Sequence, residues 1–298
     1  MRGTILFIML LLLLGGFVII SEVDVVNGAV GATVVPASVG NTDVTPTKLV
    51  PIVDRDDDPP EQLPCSGQPN DCSLRSAITA VIQSAHPAEI TFANHYIIVL
   101  TRPLPTITQA GLSIIARPGQ EVRVNGNNLA TPVFHITAAN VKVEGLRIYG
   151  AGVGYANVLI NGPAHEVIIA RNVIGDDDAP ENNCGQSEQS ATGIYVQTNN
   201  EPLDGVRARI YGNIVECHQG YPGEGIVLMA DGVILGVNSQ EQAGPEQQNV
   251  VRGNRGVAIR LDGYGGNTIR NNLIYDNTGG TLVMNNFENV LMDNDIRQ

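Results

Sequence analysis

The chain has 298 residues, 33 of them glycine and none tryptophan, and a formal net charge of −13. Only Lys142 follows Lys48. With no basic stripe to neutralise phosphates, the composition argues against nucleic acid and against anionic lipid surfaces. Such an acidic surface promotes solubility, and its sharper reading is divalent-cation binding.

At the N-terminus, Arg2 precedes the apolar run ILFIMLLLLLGGFVII, and small residues follow as far as Ala32. A charged start, an apolar core and an A-x-A-like end predict an export signal over residues 1–32. The run is short for a membrane span. An uncleaved N-terminal anchor is the alternative, and it is the only membrane contact foreseen. Both readings put the protein outside the cell or on its surface.

Residues 33–64 read as a disordered linker rich in Pro, Val, Thr and Asp. Its run DRDDDPP, residues 54–60, is expected to be a solvated spacer, with a calcium loop as the alternative. Four cysteines follow: Cys65, Cys72, Cys184 and Cys217. An even number in an exported chain suggests disulfides. Cys65 and Cys72 lie close together around Gly, Pro and Asn, and Cys184–Cys217 then pairs by elimination. No CxxC pair is present, which argues against cysteine metal ligation.

The clearest helix covers residues 72–86. Asp71 or Ser73 can cap it. Leu74, Ala77, Ile78, Val81, Ile82 and Ala85 recur on one face, and Pro87 ends it. One amphipathic helix cannot form a domain, so it must cover something apolar.

After it come only short β-branched runs bounded by Gly, Asn, Asp and Pro, among them EITF, YIIVL, VKVEGLRIYG, GIVLM and NTIRNNLI. Aligning EVIIARNVIG, ARIYGNIVE, NVVRGNRGV, NTIRNNLIY and NVLMDNDIR brings Asn172, Asn213, Asn254, Asn272 and Asn294 to one place, at intervals of 41, 41, 18 and 22 residues. A unit near 20 residues, at times doubled or enlarged by a loop, predicts stacked supersecondary units. Very short strands joined by tight turns are the coils of a parallel β-helix. An Asn at the same corner of each coil tolerates left-handed geometry and builds a hydrogen-bonded ladder. Leucine-rich repeats have a similar period, but their L-x-x-L-x-L spacing is absent. The expected fold is therefore all-β: a single-stranded parallel β-helix over residues 65–298 with an N-terminal amphipathic capping helix.

The stretch CSLRSAI, Cys72 to Ile78, followed by EITFANHYIIVLTRPLPTIT, resembles the N-terminal cap of exported bacterial β-helix proteins with a CSLREA-type motif. Ser76 stands where that motif has an acidic residue. Residues 133–298 are similar to the right-handed β-helix repeats of the pectin-lyase-like superfamily. The resemblance implies a right-handed solenoid whose first apolar coil is shielded by the helix. No second cap follows NDIRQ, which fits an incomplete chain or a last coil that pairs with another chain. The superfamily includes lyases, hydrolases, epimerases and adhesins, so fold alone assigns no activity.

Two segments are candidate sites. GDDDAPEN supplies Asp176, Asp177, Asp178 and Glu181, hard oxygen ligands that suit Ca²⁺, the one cofactor suggested. Without EF-hand spacing, the alternative is a solvated loop. In RLDGYGG, Arg260, Asp262 and Tyr264 alternate on a strand-to-turn segment and share a face. They can touch a sugar or form a surface ion pair. The five histidines show no HxH or HExxH set; His218, in ECHQGYPGEG, is a candidate base in a loop. The superfamily's GHG-with-paired-Asp and RxPxxR signatures are missing: ARPGQEVR, residues 116–123, has different proline spacing. The resulting expectation is a secreted or cell-surface module that binds polysaccharide or a surface protein without catalysis. The alternative is a polysaccharide-degrading enzyme on acidic glycans, a lyase before a glycoside hydrolase.

Overall fold

The computed structural model describes residues 50–56, 58–59, 65–175, 184, 190–197, 205–263, 265–285 and 288–297. Their strands form three sheets, in which every strand pairs in parallel with strands one coil away. Sheet I runs from Ile52–Val53 to Val290–Met292, sheet II from Tyr96–Val99 to Asp295–Ile296, and sheet III from Phe134–Ile136 to Leu282–Met284. The chain visits I, II and III in turn and then begins the next coil. This is the parallel β-helix expected from the repeats.

Alternation within each strand sends every second side chain inward. Register then stacks like on like. In sheet I, Ile90, Ile114, Val143, Ile169, Ile210, Leu235 and Ile269 form one inner row. Ile98, Val124, Ile148, Ile174, Val215, Val251 and Ile274 form its counterpart in sheet II. All of these are buried, and each contributes about 1.5–3 kcal/mol by leaving water.

The helix spans Leu74–Ser84. Ser73, rather than Asp71, is its N-cap: Ser73 Oγ accepts from Ser76 N at 3.2 Å. Asp71 instead accepts from Ser66 N at 2.8 Å, closing the small loop that the Cys65–Cys72 disulfide also closes. The helix ends at Ala85, which is left-handed (φ 54°). Its Leu74, Ala77, Ile78 and Val81 join one core with Val53, Ile90 and Phe92.

The linker expectation fails over the described part of residues 50–59. Ile52 and Val53 pair with Thr91 and Phe92, adding a strand beyond the expected domain start. Asp54 Oδ1 accepts from Cys72 N at 2.9 Å. Asp58 is buried and meets Arg75 in a two-point ion pair, with Nε at 2.6 Å and Nη2 at 2.7 Å. Arg75 Nη2 also donates to Arg102 O at 2.6 Å, and Thr101 N to Asp58 Oδ2 at 2.9 Å. Within a run that reads as solvated, Asp58 is drawn in by one buried guanidinium from the helix, while Asp56 stays exposed.

The corners carry not one ladder but three. At the corner from sheet I to sheet II, Asn172, Asn213, Asn249, Asn272 and Asn294 form a continuous series. Asn254 is not a member of it. Asn254 stands at the corner from sheet II to III, where it donates to Asn277 Oδ1 at 2.8 Å. Asn267 and Asn289 pair at the third corner. The alignment slipped because NVVR is a sheet II strand, not a sheet I strand. The left-handed residue is also not the ladder Asn but the one before it: Arg171, Gly212, Asn271 and Asp293 have φ of 54°, 67°, 61° and 51°. That kink aims the following Asn side chain along the stack, where its bonds offset the cost of a left-handed conformation.

Candidate functional site

The outer face of sheet III carries the expected site. One registered row on it reads His135, Leu159, Tyr195, Val227, Arg260 and Val283. Arg260 and Asp262 share this face, as the alternation predicts, and lie 3.9 Å apart. Tyr264 lies outside the described residues.

Arg260 is committed chiefly elsewhere. Its Nε donates to Glu224 Oε1 of the preceding coil at 2.5 Å. Glu224 is buried, so the pair is desolvated on one side. The hydrogen bond to Glu224 strengthens the hold on the Arg260 proton, and the charges of Glu224 and Asp262 add to it. Asp262 accepts from Asn285 Nδ2 of the following coil. A chain of polar contacts, Glu224–Arg260–Asp262–Asn285, thus crosses three coils.

Tyr195 lies beside this chain. Burial raises its hydroxyl pKa, and the charges of Asp262 and Glu224 raise it further, so Tyr195 is a neutral phenol at physiological pH. Its hydroxyl sits 2.6 Å from Met229 Sδ. At one end of the same face, His135 Nε2 meets Asn161 Oδ1 at 2.9 Å. On the adjoining corner Tyr221 is 78% exposed and Tyr155 39%.

Glu224, Tyr195 and Asn285 were not singled out from sequence. Glu224 lies 36 residues from Arg260, and only coil register brings them together. A strand-opening Glu after the GYPG turn was the one local signal.

His218 is not a base in an open loop. It is fully buried and takes a ladder position at the corner from sheet II to III. Its Nδ1 lies 2.7 Å from Asn254 Oδ1 and its Nε2 3.2 Å from Asn157 Nδ2. Asp176, Asp177, Asp178 and Glu181 lie outside the described residues. Among the described residues no three His, Cys, Asp or Glu side chains gather as a metal site. Both expected disulfides form: Cys65–Cys72, and Cys184–Cys217, which fastens Cys184 to the corner of a neighbouring coil.

No family model, curated protein or solved structure matches this chain.

Proposed function

We propose that the protein is a secreted or cell-surface β-helix module that binds a glycan along the outer face of sheet III without catalysing its breakdown. The observation that carries this reading is the Glu224–Arg260–Asp262–Asn285 chain beside Tyr195. Its Arg is spent on a buried carboxylate, its Asp is held by Arg and Asn, and its Tyr keeps its proton. Such a face offers hydrogen bonds and ring contacts rather than a free general base, which both lyase and hydrolase chemistry require. Neighbouring coils repeat at about 4.8 Å, and so present these groups as a ruled surface to an extended chain. Two disulfides agree with an oxidising compartment. Membership of the pectin-lyase-like superfamily, with a CSLREA-type cap, is part of the same proposal. It rests on CSLRSAI and on the three parallel sheets. Ca²⁺ binding by Asp176, Asp177, Asp178 and Glu181, whose carboxylates are hard oxygen ligands, is a separate part of the proposal.

The test is a panel of neutral and acidic polysaccharides, with Ca²⁺ and with chelator, scored for retention, new reducing ends and the ultraviolet absorbance of unsaturated uronates. Retention that falls at least tenfold in Arg260→Ala, without new products, supports the proposal. Ca²⁺-dependent absorbance would replace it with a lyase; reducing ends alone would replace it with a hydrolase.

A further inference from the structure

From the strand Lys142–Glu144 onward, the corner from sheet I to sheet II is closed in other coils by one or two residues, such as Gly145 alone or Arg171 with Asn172; the first two coils use residues 93–95 and 116–121. After the sheet I strand Val233–Gly236 it is enlarged to a loop over residues 237–248. The ladder does not need this insertion, since Asn249 resumes it. The loop is nevertheless fastened at many points. Arg270 Nη1 donates to the carbonyls of Asn238, Ser239 and Glu241 at 3.0, 3.2 and 2.9 Å. Asn271 Nδ2 holds Gly244 O at 3.0 Å, and Gly212 N holds Gln247 O at 3.2 Å.

Under it, on the outer face of sheet I, lies a cavity of about 200 Å³. Ile168 and Ile234 are its apolar floor, and Ile234 is 7% exposed. Tyr211 is a wall, and Arg209, Glu241 and Gln247 form the rim. The rim keeps hydrogen-bonding capacity in reserve. Arg209 spends Nη1 on Glu241 Oε1 at 3.2 Å. Gln247 spends its oxygen on Gly244 N at 3.1 Å, leaving its amide NH₂. The Tyr211 hydroxyl makes no hydrogen bond among the described residues.

We propose that this cavity binds one neutral pyranose ring, the terminal sugar of a glycan. An apolar floor suits the C–H face of the ring. Donors and acceptors side by side on the rim suit neighbouring hydroxyls. The rim charges, Arg209 and Glu241, cancel each other, which disfavours a uronate. The volume is about seven waters' worth and lies below the roughly 300–1,000 Å³ of pockets for drug-sized ligands, so a single ring fits and a nucleotide does not. A roof already fastened removes much of the ordering cost of binding. This site lies on another sheet from the sheet III face and does not depend on it.

The intact protein, labelled with ¹³C at isoleucine methyls, is titrated with methyl α-D-glucopyranoside, galactopyranoside and mannopyranoside, and with glucuronate. Ile168→Val and Ile234→Val spectra assign the two floor methyls. We expect saturable shifts of both with at least one glycoside at about millimolar affinity, and glucuronate at least tenfold weaker. Tyr211→Phe, which keeps the ring, and Glu241→Gln, which keeps the shape, each weaken binding about tenfold, one hydrogen bond's worth, at unchanged melting temperature. Arg260→Ala leaves the shifts as they are. Silent methyls with all three glycosides up to about 50 mM, shifts indifferent to both rim variants, or shifts lost in Arg260→Ala would each overturn the proposal.

Discussion

Asn213 Oδ1 accepts both the backbone N–H of Asn172, at 3.0 Å, and its side-chain Nδ2, at 3.1 Å. One oxygen thereby serves two buried donors that lie 41 residues away along the chain and one coil away in space. Asn213 passes the pattern on, giving its own N and Nδ2 to Asn249 Oδ1 at 3.0 Å each.

Asn213→Ala strips acceptors from two buried donors at once. It is expected to cost about 3–5 kcal/mol, since each unsatisfied buried group costs about 1–3. Asn294→Ala, at the last rung and only half-buried, is expected to cost under about 2 kcal/mol. Urea unfolding monitored by circular dichroism checks both; equal losses would deny that burial within the ladder sets the cost.

The Arg75–Asp58 pair makes the N-terminal end sensitive to acid. Burial alone would raise the Asp58 pKa, but hydrogen bonds from Arg75 and Thr101, with the Arg75 charge, outweigh it and lower the value. The folded value lies below the unfolded one, near 3.9. The pair's stabilisation is therefore present above about pH 4 and is lost as pH falls through the folded value. Melting temperatures of the wild type and Asp58→Asn, measured from pH 7 to 3, are expected to differ most at neutral pH and to converge below about pH 4. At pH 7, Arg75→Met strands a buried carboxylate and is expected to cost about 3–5 kcal/mol.

The two disulfides close loops of different length, with sequence separations of 7 and 33. Chain entropy predicts a loss of about 2.5 kcal/mol for Cys65→Ser with Cys72→Ser, and about 3.7 kcal/mol for Cys184→Ser with Cys217→Ser. Denaturant midpoints of the two double variants give the order directly; the reverse order would show that native contacts near the short loop outweigh chain entropy.

His218→Gln is expected to cost about 2 kcal/mol through loss of the imidazole bridge between Asn157 and Asn254. Glycan retention is expected to survive it unchanged. Lost retention at unchanged stability would give His218 a role in recognition.

The fold was legible because its signals are local and repeated. Short β-branched runs mark strands, and Asn between them marks corners. The helix declared itself by one apolar face and Pro87. The exact rungs were not legible. Asn249 and Asn254 are five residues apart in one segment, and only register assigns them to different corners. The strand Ile52–Val53 was hidden by its neighbours, because DRDDDPP reads as solvated until Arg75 is known to face it. Of the sheet III face, Arg260 and Asp262 could be read from alternation. Glu224 and Tyr195 could not, since their proximity to that pair depends on coil lengths that vary between 22 residues, from Thr268 to Val290, and 41, from Ile168 to Arg209.

Those unequal coils also determine how the molecule would respond to a pull applied at its two ends. Each coil is held to the next by many short, parallel pairings, so the stack would yield by peeling, one coil per event. At about 3.5 Å of contour per residue, the shortest coil would lengthen the tether by about 75 Å. The longest would give about 140 Å if it were free to extend. It is not free, because the Cys184–Cys217 bond shunts the force past the residues it encloses. Under reducing conditions that hidden length would be released, and a force–extension trace would record the redox state of one bond as a change in a single step.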